Sequence, residues 1–285
     1  MQFYYFGGVL GEKDSVKSPS NLNQHHFDGV MFTHDIPQGD IFVQTAIDLK
    51  INEKIKYLIA IRPYTISPQY LAMINDSLNK IQKNRVQLNI ISGYTKDHEN
   101  DIKGIVGPVN DQSDKVEKRK YLVEFLESLN EMNQNKNLKA PLDFFVTTTN
   151  PRVLDAVNKY NNKIILPYSL YKNNIWFKKF DRPISVNSKE IMVAITPIIR
   201  ETQEELESLK NYALRPTWQS GEVSRVVNDA EYLTKETFHE LVIKLQNDGI
   251  KYLLINAVPQ AENSIIIPFI KSYVESKEYA EINKL

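Results

Sequence analysis

The chain of 285 residues contains no cysteine, and its charges cancel because 35 lysine and arginine residues balance 35 aspartate and glutamate residues. The lack of cysteine excludes disulfide bonds, thiolate metal ligands and a cysteine nucleophile. A net charge of zero gives no general attraction to nucleic acid or to an anionic membrane. No apolar run approaches the roughly 20 residues of a membrane-spanning helix, and no basic, apolar leader opens the sequence. We therefore expect a cytoplasmic protein.

The chain is also poor in clustered metal ligands. Its five histidines lack the spacing, with one another or with carboxylates, that metal sites require. His25 and His26 fall in a polar stretch, and we interpret them as surface residues. We therefore expect no bound metal.

Short apolar runs alternate with stretches of helical periodicity. The clearest unit covers residues 56–93, where apolar runs at 57–61 and 86–91 flank a helix. Apolar residues recur in this helix at three- and four-residue steps, at Leu71, Ile74, Leu78 and Ile81. Ser67 and Pro68 precede it as a capping hydroxyl and a first-turn proline. A strand, a crossover helix and a second buried strand form a parallel unit.

Eight apolar runs are predicted as strands, at residues 2–6, 29–32, 57–61, 86–91, 141–146, 163–167, 190–199 and 252–255. Helices are predicted between most of them. Residues 14–26 instead have loop composition, so we expect the first crossover helix to be degraded or very short. The pattern predicts an α/β fold, a single (β/α)8 TIM barrel domain over residues 1–285. A doubly wound sheet that binds a phosphorylated ligand is the alternative.

A series of short motifs in residues 60–93 resembles the bacterial luciferase-like flavin monooxygenase family. In order, these motifs are Ala-Ile-Arg-Pro at 60–63, Ser-Pro at 67–68, Leu78, Asn-Arg at 84–85 and Leu-Asn-Ile-Ile-Ser-Gly at 88–93. The series is most similar to the branch that contains the alkanesulfonate monooxygenases. It covers about forty residues, and its pieces are specific only in combination.

The resemblance implies a luciferase-like barrel that binds FMN in its reduced form, FMNH2. A separate flavin reductase would supply the FMNH2, and O2 would oxidise a small organic substrate through a C4a-peroxyflavin. It also implies a homodimer formed through the helices that follow strands two and three. We expect neither nucleic acid nor membrane as a partner.

The reactive groups of such a barrel come from the carboxyl ends of its strands. Here those ends are rich in hydroxyl and amide groups, and they lack the facing carboxylates that glycoside hydrolysis needs. They include the groups at residues 33–35, 62–63, 89–93, 147–150, 196–197 and 256. This set suits a polar planar ligand.

The resemblance implies roles for seven of these residues and for Ala60. Thr147, Thr148 and Thr149 precede a helix that begins at Pro151, where free backbone N–H groups favour a phosphate. The flavin ring would contact Asn89 and Ser92, and Ala60 and Arg62 are further candidates for cofactor binding. The imidazole of His34 would be catalytic, by donating a proton or a hydrogen bond.

Each role has a structural alternative. The threonines can simply cap a helix, and Asn89 can satisfy backbone groups inside the barrel. Arg62 can pair with a carboxylate such as Asp35 or Asp40. A lone histidine such as His34 is more often structural than catalytic.

The sequence departs from the alkanesulfonate branch at its functional positions. Gln38 stands where that branch has a cysteine, and Ala194 and Thr196 stand where it has an arginine and a histidine. Without that arginine a sulfonate loses its bidentate partner, so an alkanesulfonate substrate is not expected. The insertions after strands four and seven are also short for the family. Two alternatives follow: a non-catalytic flavin-binding protein or subunit, and an oxidoreductase that uses the deazaflavin F420.

Overall fold

The computed structural model describes residues 1–8, 15–33, 39–52, 54–91, 115–134, 138, 140–148, 150–160, 163–173, 190–213, 230–257 and 262–282. The strands are β1 Gln2–Phe6, β2 Gly29–Phe32, β3 Lys56–Ile61, β4 Val86–Ile91, β5 Phe144–Thr147, β6 Lys163–Pro167, β7 Glu190–Ile195, β8 Pro197–Arg200, β9 Glu231–Thr234 and β10 Tyr252–Ile255. The helices are α1 Pro19–Gln24, α2 Ile41–Leu49, α3 Pro68–Ile81, α4 Lys115–Gln134, α5 Pro151–Tyr160, α6 Tyr168–Asn173, α7 Gln203–Ala213, α8 Lys235–Asn247 and α9 Asn263–Ile282.

Eight parallel strands close into a barrel, in the order β1 to β7 and then β10. The closure pairs the first strand with the last, with Tyr4 opposite Leu254. Helices separate most of the strands along the chain, so the predicted (β/α)8 barrel is confirmed. None of the helices in the described ranges combines the length and the apolar character that crossing a membrane requires.

Two apolar layers explain why the strands read as nearly continuous hydrophobic runs. In β3, Leu58 and Ala60 point into the barrel, where they pack against residues such as Phe145 and Met192. Neighbouring strand residues point outward and join the layer between barrel and helices. A parallel sheet covered on both faces buries both sets of side chains.

A polar network fills the amino-terminal end of the barrel interior. The Tyr4 hydroxyl donates to Gln87 Oε1 at 2.6 Å, and Gln87 Nε2 donates to Asp143 Oδ2 at 2.9 Å. Lys163 bonds to Asp143 and lies 2.9 Å from the Glu190 carboxylate. Burial alone would lower the pKa of Lys163, but its bonds to the two carboxylates outweigh burial and raise it. This end of the barrel is therefore closed by paired charges.

The predicted seventh strand, residues 190–199, is wrong as one element. It divides at Thr196 into β7, which belongs to the barrel, and β8, which pairs with β9 in a separate two-stranded sheet. Pro197 begins β8, and its missing N–H removes a donor from the ladder of the barrel. The strand β9 has no counterpart in the sequence-based prediction.

The fifth strand also begins later than predicted, at Phe144 instead of residue 141. The Leu142 N–H donates to Asn133 Oδ1 at 2.8 Å, and Asn133 Nδ2 donates to the Leu142 carbonyl at 3.2 Å. Because these bonds tie residue 142 to α4, it does not join the barrel ladder.

The predictions of a very short first crossover helix and of a helix that begins at Pro68 are confirmed. The first crossover holds α1, a helix of only six residues that is capped by Ser18. Helix α3 begins at Pro68, and the Ser67 hydroxyl accepts a hydrogen bond from the Tyr70 N–H.

Tyr5 should make the fold sensitive to alkaline pH. Its buried hydroxyl donates to Asn263 Oδ1 at 2.6 Å. Burial raises the pKa of Tyr5 to about 12, although the hydrogen bond to Asn263 offsets part of the effect. The unfolded chain releases this proton near pH 10 and the folded protein does not, so stability falls above pH 10 by about 1.4 kcal/mol per pH unit for this residue.

We expect Tyr5→Phe to reduce that slope between about pH 10 and 12, as measured by urea unfolding at a series of pH values. Tyr70→Phe is the control, because Tyr70 is 58% exposed in the folded protein and its environment changes little on unfolding. An unchanged slope in Tyr5→Phe would contradict this account.

Candidate functional site

The carboxyl end of the barrel brings several predicted residues together. In the sheet register Ala60 of β3 lies opposite Asn89 of β4, and both side chains are buried. The Thr147 hydroxyl, on β5, donates to Asn89 Oδ1 at 2.8 Å. Three of the residues predicted to bind a cofactor therefore form one continuous group on three adjacent strands.

Within this group Asn89 lies deeper in the barrel than Thr147, because it pairs with Phe145, two residues before Thr147. Asn89 is 1% exposed, and its Nδ2 points to Met31 Sδ at 3.8 Å, which is a weak acceptor. Thr147 is half-buried and lies one step nearer the mouth. A ligand in the mouth would reach Thr147 first, and Asn89 would hold the threonine hydroxyl in place.

Thr148 has different surroundings from Thr147. It is buried, and its hydroxyl accepts a hydrogen bond from the Asn150 N–H at 3.1 Å. The Asn150 carbonyl in turn accepts a hydrogen bond from the Leu154 N–H at 2.9 Å. This is the first hydrogen bond of α5. Thr147 therefore belongs to the barrel interior, and Thr148 belongs to the turn before α5.

Arg62 lies at the same end and is 3% exposed. Its carbonyl accepts from the N–H and the hydroxyl of Thr65, at 3.0 and 2.8 Å, and so fixes the 3-10 turn Pro63–Thr65 after β3. Asp40, one of the proposed carboxylate partners, caps α2 by accepting from the N–H groups of Phe42 and Val43.

Three predicted residues, His34, Ser92 and Thr149, lie outside the described residues, as do Asp35 and Gln38. Their roles stay predictions. Among the residues that the structure describes, no group of three histidine, cysteine, aspartate or glutamate side chains could hold a metal ion.

A second polar pair lies at the carboxyl ends of β7 and β10. Asn256 Nδ2 donates to Thr196 Oγ1 at 3.4 Å, and both residues are half-buried. The sequence-based assignment included both positions among the strand ends but gave neither a role. The alternation of side chains along a strand could have predicted that both face the barrel interior. Thr196 stands two residues after the inward-facing Ala194, and Asn256 stands two residues after Leu254.

No protein-family model matches the chain. Solved structures nevertheless resemble it over nearly its whole length. The EDTA monooxygenase EmoA from Chelativorans sp. BNC1 is 13% identical with a TM-score of 0.64, covering 98% of this chain and 94% of that chain. The riboflavin lyase RcaE, solved with a modified FMN and riboflavin, is 12% identical with a TM-score of 0.65, covering 98% and 92%.

A third structure is the coenzyme F420-dependent tetrahydromethanopterin reductase from Methanopyrus kandleri. It is 11% identical with a TM-score of 0.57, covering 95% of this chain and 98% of that chain. The chain therefore shares its (β/α)8 barrel fold with these three structures. Identities this low show the shared fold, and function must be argued from the site.

The hydrogen bond between Thr147 and Asn89 should be measurable as a coupling energy. Thr147→Val leaves the Asn89 oxygen buried without its donor, which should cost about 1 to 3 kcal/mol of unfolding free energy. Asn89→Leu alone should also destabilise. The double variant should lose about 1 kcal/mol less than the sum of the two, because replacing both partners leaves no orphaned polar group. Urea unfolding of the four proteins measures this, and strictly additive losses would contradict it.

Proposed function

We propose that the protein is a monooxygenase that binds reduced FMN in the carboxyl-terminal mouth of the barrel and uses O2 to oxidise a small organic substrate. The observation that carries this proposal is the group of hydroxyl, amide and small side chains that Thr147, Asn89 and Ala60 form in the mouth of a barrel of luciferase-like fold. The riboflavin lyase of the same fold was solved with a modified FMN, which supports a flavin ligand.

The residues present fit a flavin. A planar ring needs apolar walls with a few well-placed polar groups, and a small side chain such as Ala60 leaves room for its face. Ile91 and the half-buried Phe6 pack in the same interior cluster as Ala60. The Thr147 hydroxyl would meet the polar edge of the ring, held in place by Asn89, and Arg62 and Ser92 would complete that edge.

The flavin phosphate would lie at the start of α5. This helix is ten residues long, so the N–H groups of its first turn and its dipole favour an anion. Thr148 already shapes the turn that precedes the helix, and Thr149 is the next residue in the chain. Because Thr147 points into the barrel, we assign it to the ring, and we assign Thr148 and Thr149 to the phosphate.

The bound flavin would supply the oxidation chemistry. A separate flavin reductase would deliver the flavin in its reduced form. The protein's own residues bind the cofactor, orient it and keep water from it. We assign His34 to proton transfer, because an imidazole titrates near neutrality and can donate a proton at the mouth.

A second cofactor, F420, is favoured by one observation, the likeness to an F420-dependent reductase. F420 and FMN differ in their absorption spectra, so a titration with each one separates the two functions. A flavin-binding protein without turnover is the third case.

An anaerobic titration tests the proposal. The purified protein is titrated with oxidised FMN and then with dithionite-reduced FMN, and air is admitted while absorbance is followed by stopped flow. We expect the reduced form to bind about tenfold more tightly, and a transient oxygenated species to decay after mixing. Thr147→Val should weaken the binding of reduced FMN, and Thr45→Val, which alters a buried residue of α2, is the isosteric control.

The outcomes separate the alternatives. Equal or tighter binding of oxidised FMN, with no transient, would indicate a flavin carrier. Binding of F420 in place of FMN would indicate an F420-dependent oxidoreductase. In an assay in which a flavin reductase supplies reduced FMN, His34→Asn should form less product than the wild type and should bind flavin equally well. Unchanged turnover would remove His34 from the mechanism.

We also propose that the protein is a homodimer that associates through α2 and α3, which follow strands two and three of the barrel. Large apolar side chains are exposed on both helices and just beyond α2: Val43 57%, Ile47 53%, Ile51 51%, Tyr70 58% and Met73 64%. Those at 43, 47 and 51 recur every four residues and so share one face. A contiguous apolar patch on a soluble surface is typical of an interaction site.

Charging this patch should dissociate the dimer. We expect Ile47→Lys combined with Met73→Lys to shift the protein from dimer to monomer in sedimentation equilibrium, because two buried charges would face each other across the interface. Ile243→Lys on α8, where the side chain is 39% exposed, is the control and should leave the dimer intact. A wild-type protein that is monomeric at micromolar concentration would contradict the proposal.

A further inference from the structure

The Thr196 and Asn256 side chains point into the barrel mouth and take no part in the proposed flavin contacts. Ala194 and Leu254, two residues earlier on each strand, pack in the interior cluster, whereas Ile195 and Ile255 pack in the outer layer. The alternation of a strand therefore turns the next residues, Thr196 and Asn256, inward. Their 3.4 Å contact agrees with this direction.

The backbone holds both residues in fixed positions. The Asn256 N–H donates to the Ile195 carbonyl at 2.9 Å, which extends the pairing of β10 with β7 by one step. The Thr196 carbonyl accepts from the Glu231 N–H at 2.9 Å and so anchors the residue to β9. Side chains supported in this way lose little conformational freedom when a ligand binds.

The pair keeps unused hydrogen-bonding capacity. Among the described residues, Asn256 Oδ1 accepts no hydrogen bond, and the Thr196 hydroxyl, which accepts from Asn256, can still donate its own hydrogen. Asn256 also retains a second N–H. Since both residues are half-buried, these donors and this acceptor are within reach of a ligand.

The position of the pair separates it from the flavin residues. Asn256 follows β10, and Asn89 lies on β4, four strands away around the barrel in either direction. A flavin ring held by β3, β4 and β5 would leave the opposite wall, at β7 and β10, for the substrate.

The pair is also uncharged. The nearest arginine along the chain, Arg200, is bonded through its two terminal nitrogens to Glu262 Oε2 and Oε1, each at 2.8 Å. Glu262 is 4% exposed and Arg200 is half-buried, so the guanidinium is already paired with a buried carboxylate. Among the described residues, this wall therefore offers an anionic substrate no unpaired cation, and the desolvation of its charge would be unfavourable.

We propose that Thr196 and Asn256 orient the substrate, and that the substrate is an uncharged molecule that carries an amide group. A side-chain amide presents a donor and an acceptor side by side, which matches the acceptor and donor of a second amide. The inference rests on the proposed function for its reaction. The binding of an amide by this pair can be tested without flavin.

The test uses three probes of matched size: cyclohexanecarboxamide, cyclohexanecarboxylate and cyclohexanesulfonate. Their dissociation constants are measured by ligand-observed NMR on the full chain, without flavin and then with reduced FMN under anaerobic conditions. We expect the carboxamide to bind about tenfold more tightly than either anion. The tenfold preference should hold in both conditions.

Three variants assign the effect to the pair. Asn256→Leu and Thr196→Val should each weaken carboxamide binding by about five- to tenfold, because each removes a neutral hydrogen bond. Thr196→Ser retains the hydroxyl and should bind like the wild type. The affinity for reduced FMN should be unchanged in all three, and thermal unfolding confirms that each variant is folded.

Several results would overturn the inference. They are equal or tighter binding of an anion, no binding of the carboxamide, and unchanged carboxamide affinity in folded Asn256→Leu. Failure of the wild type to bind reduced FMN would instead contradict the proposed function. The amide proposal would then be decided by carboxamide binding to the flavin-free protein.

Discussion

The pairing of β1 with β10 is the constraint on which the rest of the structure depends. It joins the two ends of the chain's sheet, with Tyr4 opposite Leu254, and so closes eight strands into one barrel. Closure removes the sheet edges and brings every carboxyl end of a barrel strand to one mouth. Residues as distant in sequence as Asn89 and Asn256 then face the same space.

Different polar groups line the two ends of the barrel interior. The amino-terminal end holds Lys163 between Asp143 and Glu190, linked through Gln87 to Tyr4. The carboxyl-terminal end presents hydroxyl and amide groups from Thr147, Thr196 and Asn256. Breaking a partly buried ion pair is costly, so the amino-terminal end contributes rigidity. The side chains of Thr147, Thr196 and Asn256 at the other end are uncharged and can accept a ligand. This asymmetry underlies both the flavin proposal and the preference for an uncharged substrate.

Much of the fold could be predicted from the sequence, because β-strands buried on both faces are written as short apolar runs. The boundary between β7 and β8 at Thr196 could not be predicted, since the apolar residues of β7 continue into β8 and the direction of the chain changes only at Pro197. The position of residue 142 was equally hidden, because it depends on hydrogen bonds to Asn133 in α4.

The site was predictable to the extent that it follows strand order. Asn89 and Thr147 lie at the ends of consecutive parallel strands, so their proximity follows from the fold, although their direct hydrogen bond does not. The contact between Thr196 and Asn256 joins β7 and β10, which β8, α7, β9 and α8 separate in the sequence, and the pairing of these two strands creates it. The three adjacent threonines suggested one shared role, yet strand alternation gives Thr147 and Thr148 different surroundings.

A crystal structure of the protein grown anaerobically with reduced FMN would show where the cofactor binds. We expect a flavin in the carboxyl-terminal mouth, with its ring beside Ala60 and Thr147 and its phosphate at the start of α5. The wall formed by Thr196 and Asn256 would remain open to substrate. Flavin bound outside the mouth, or with its ring against Thr196 and Asn256, would contradict it.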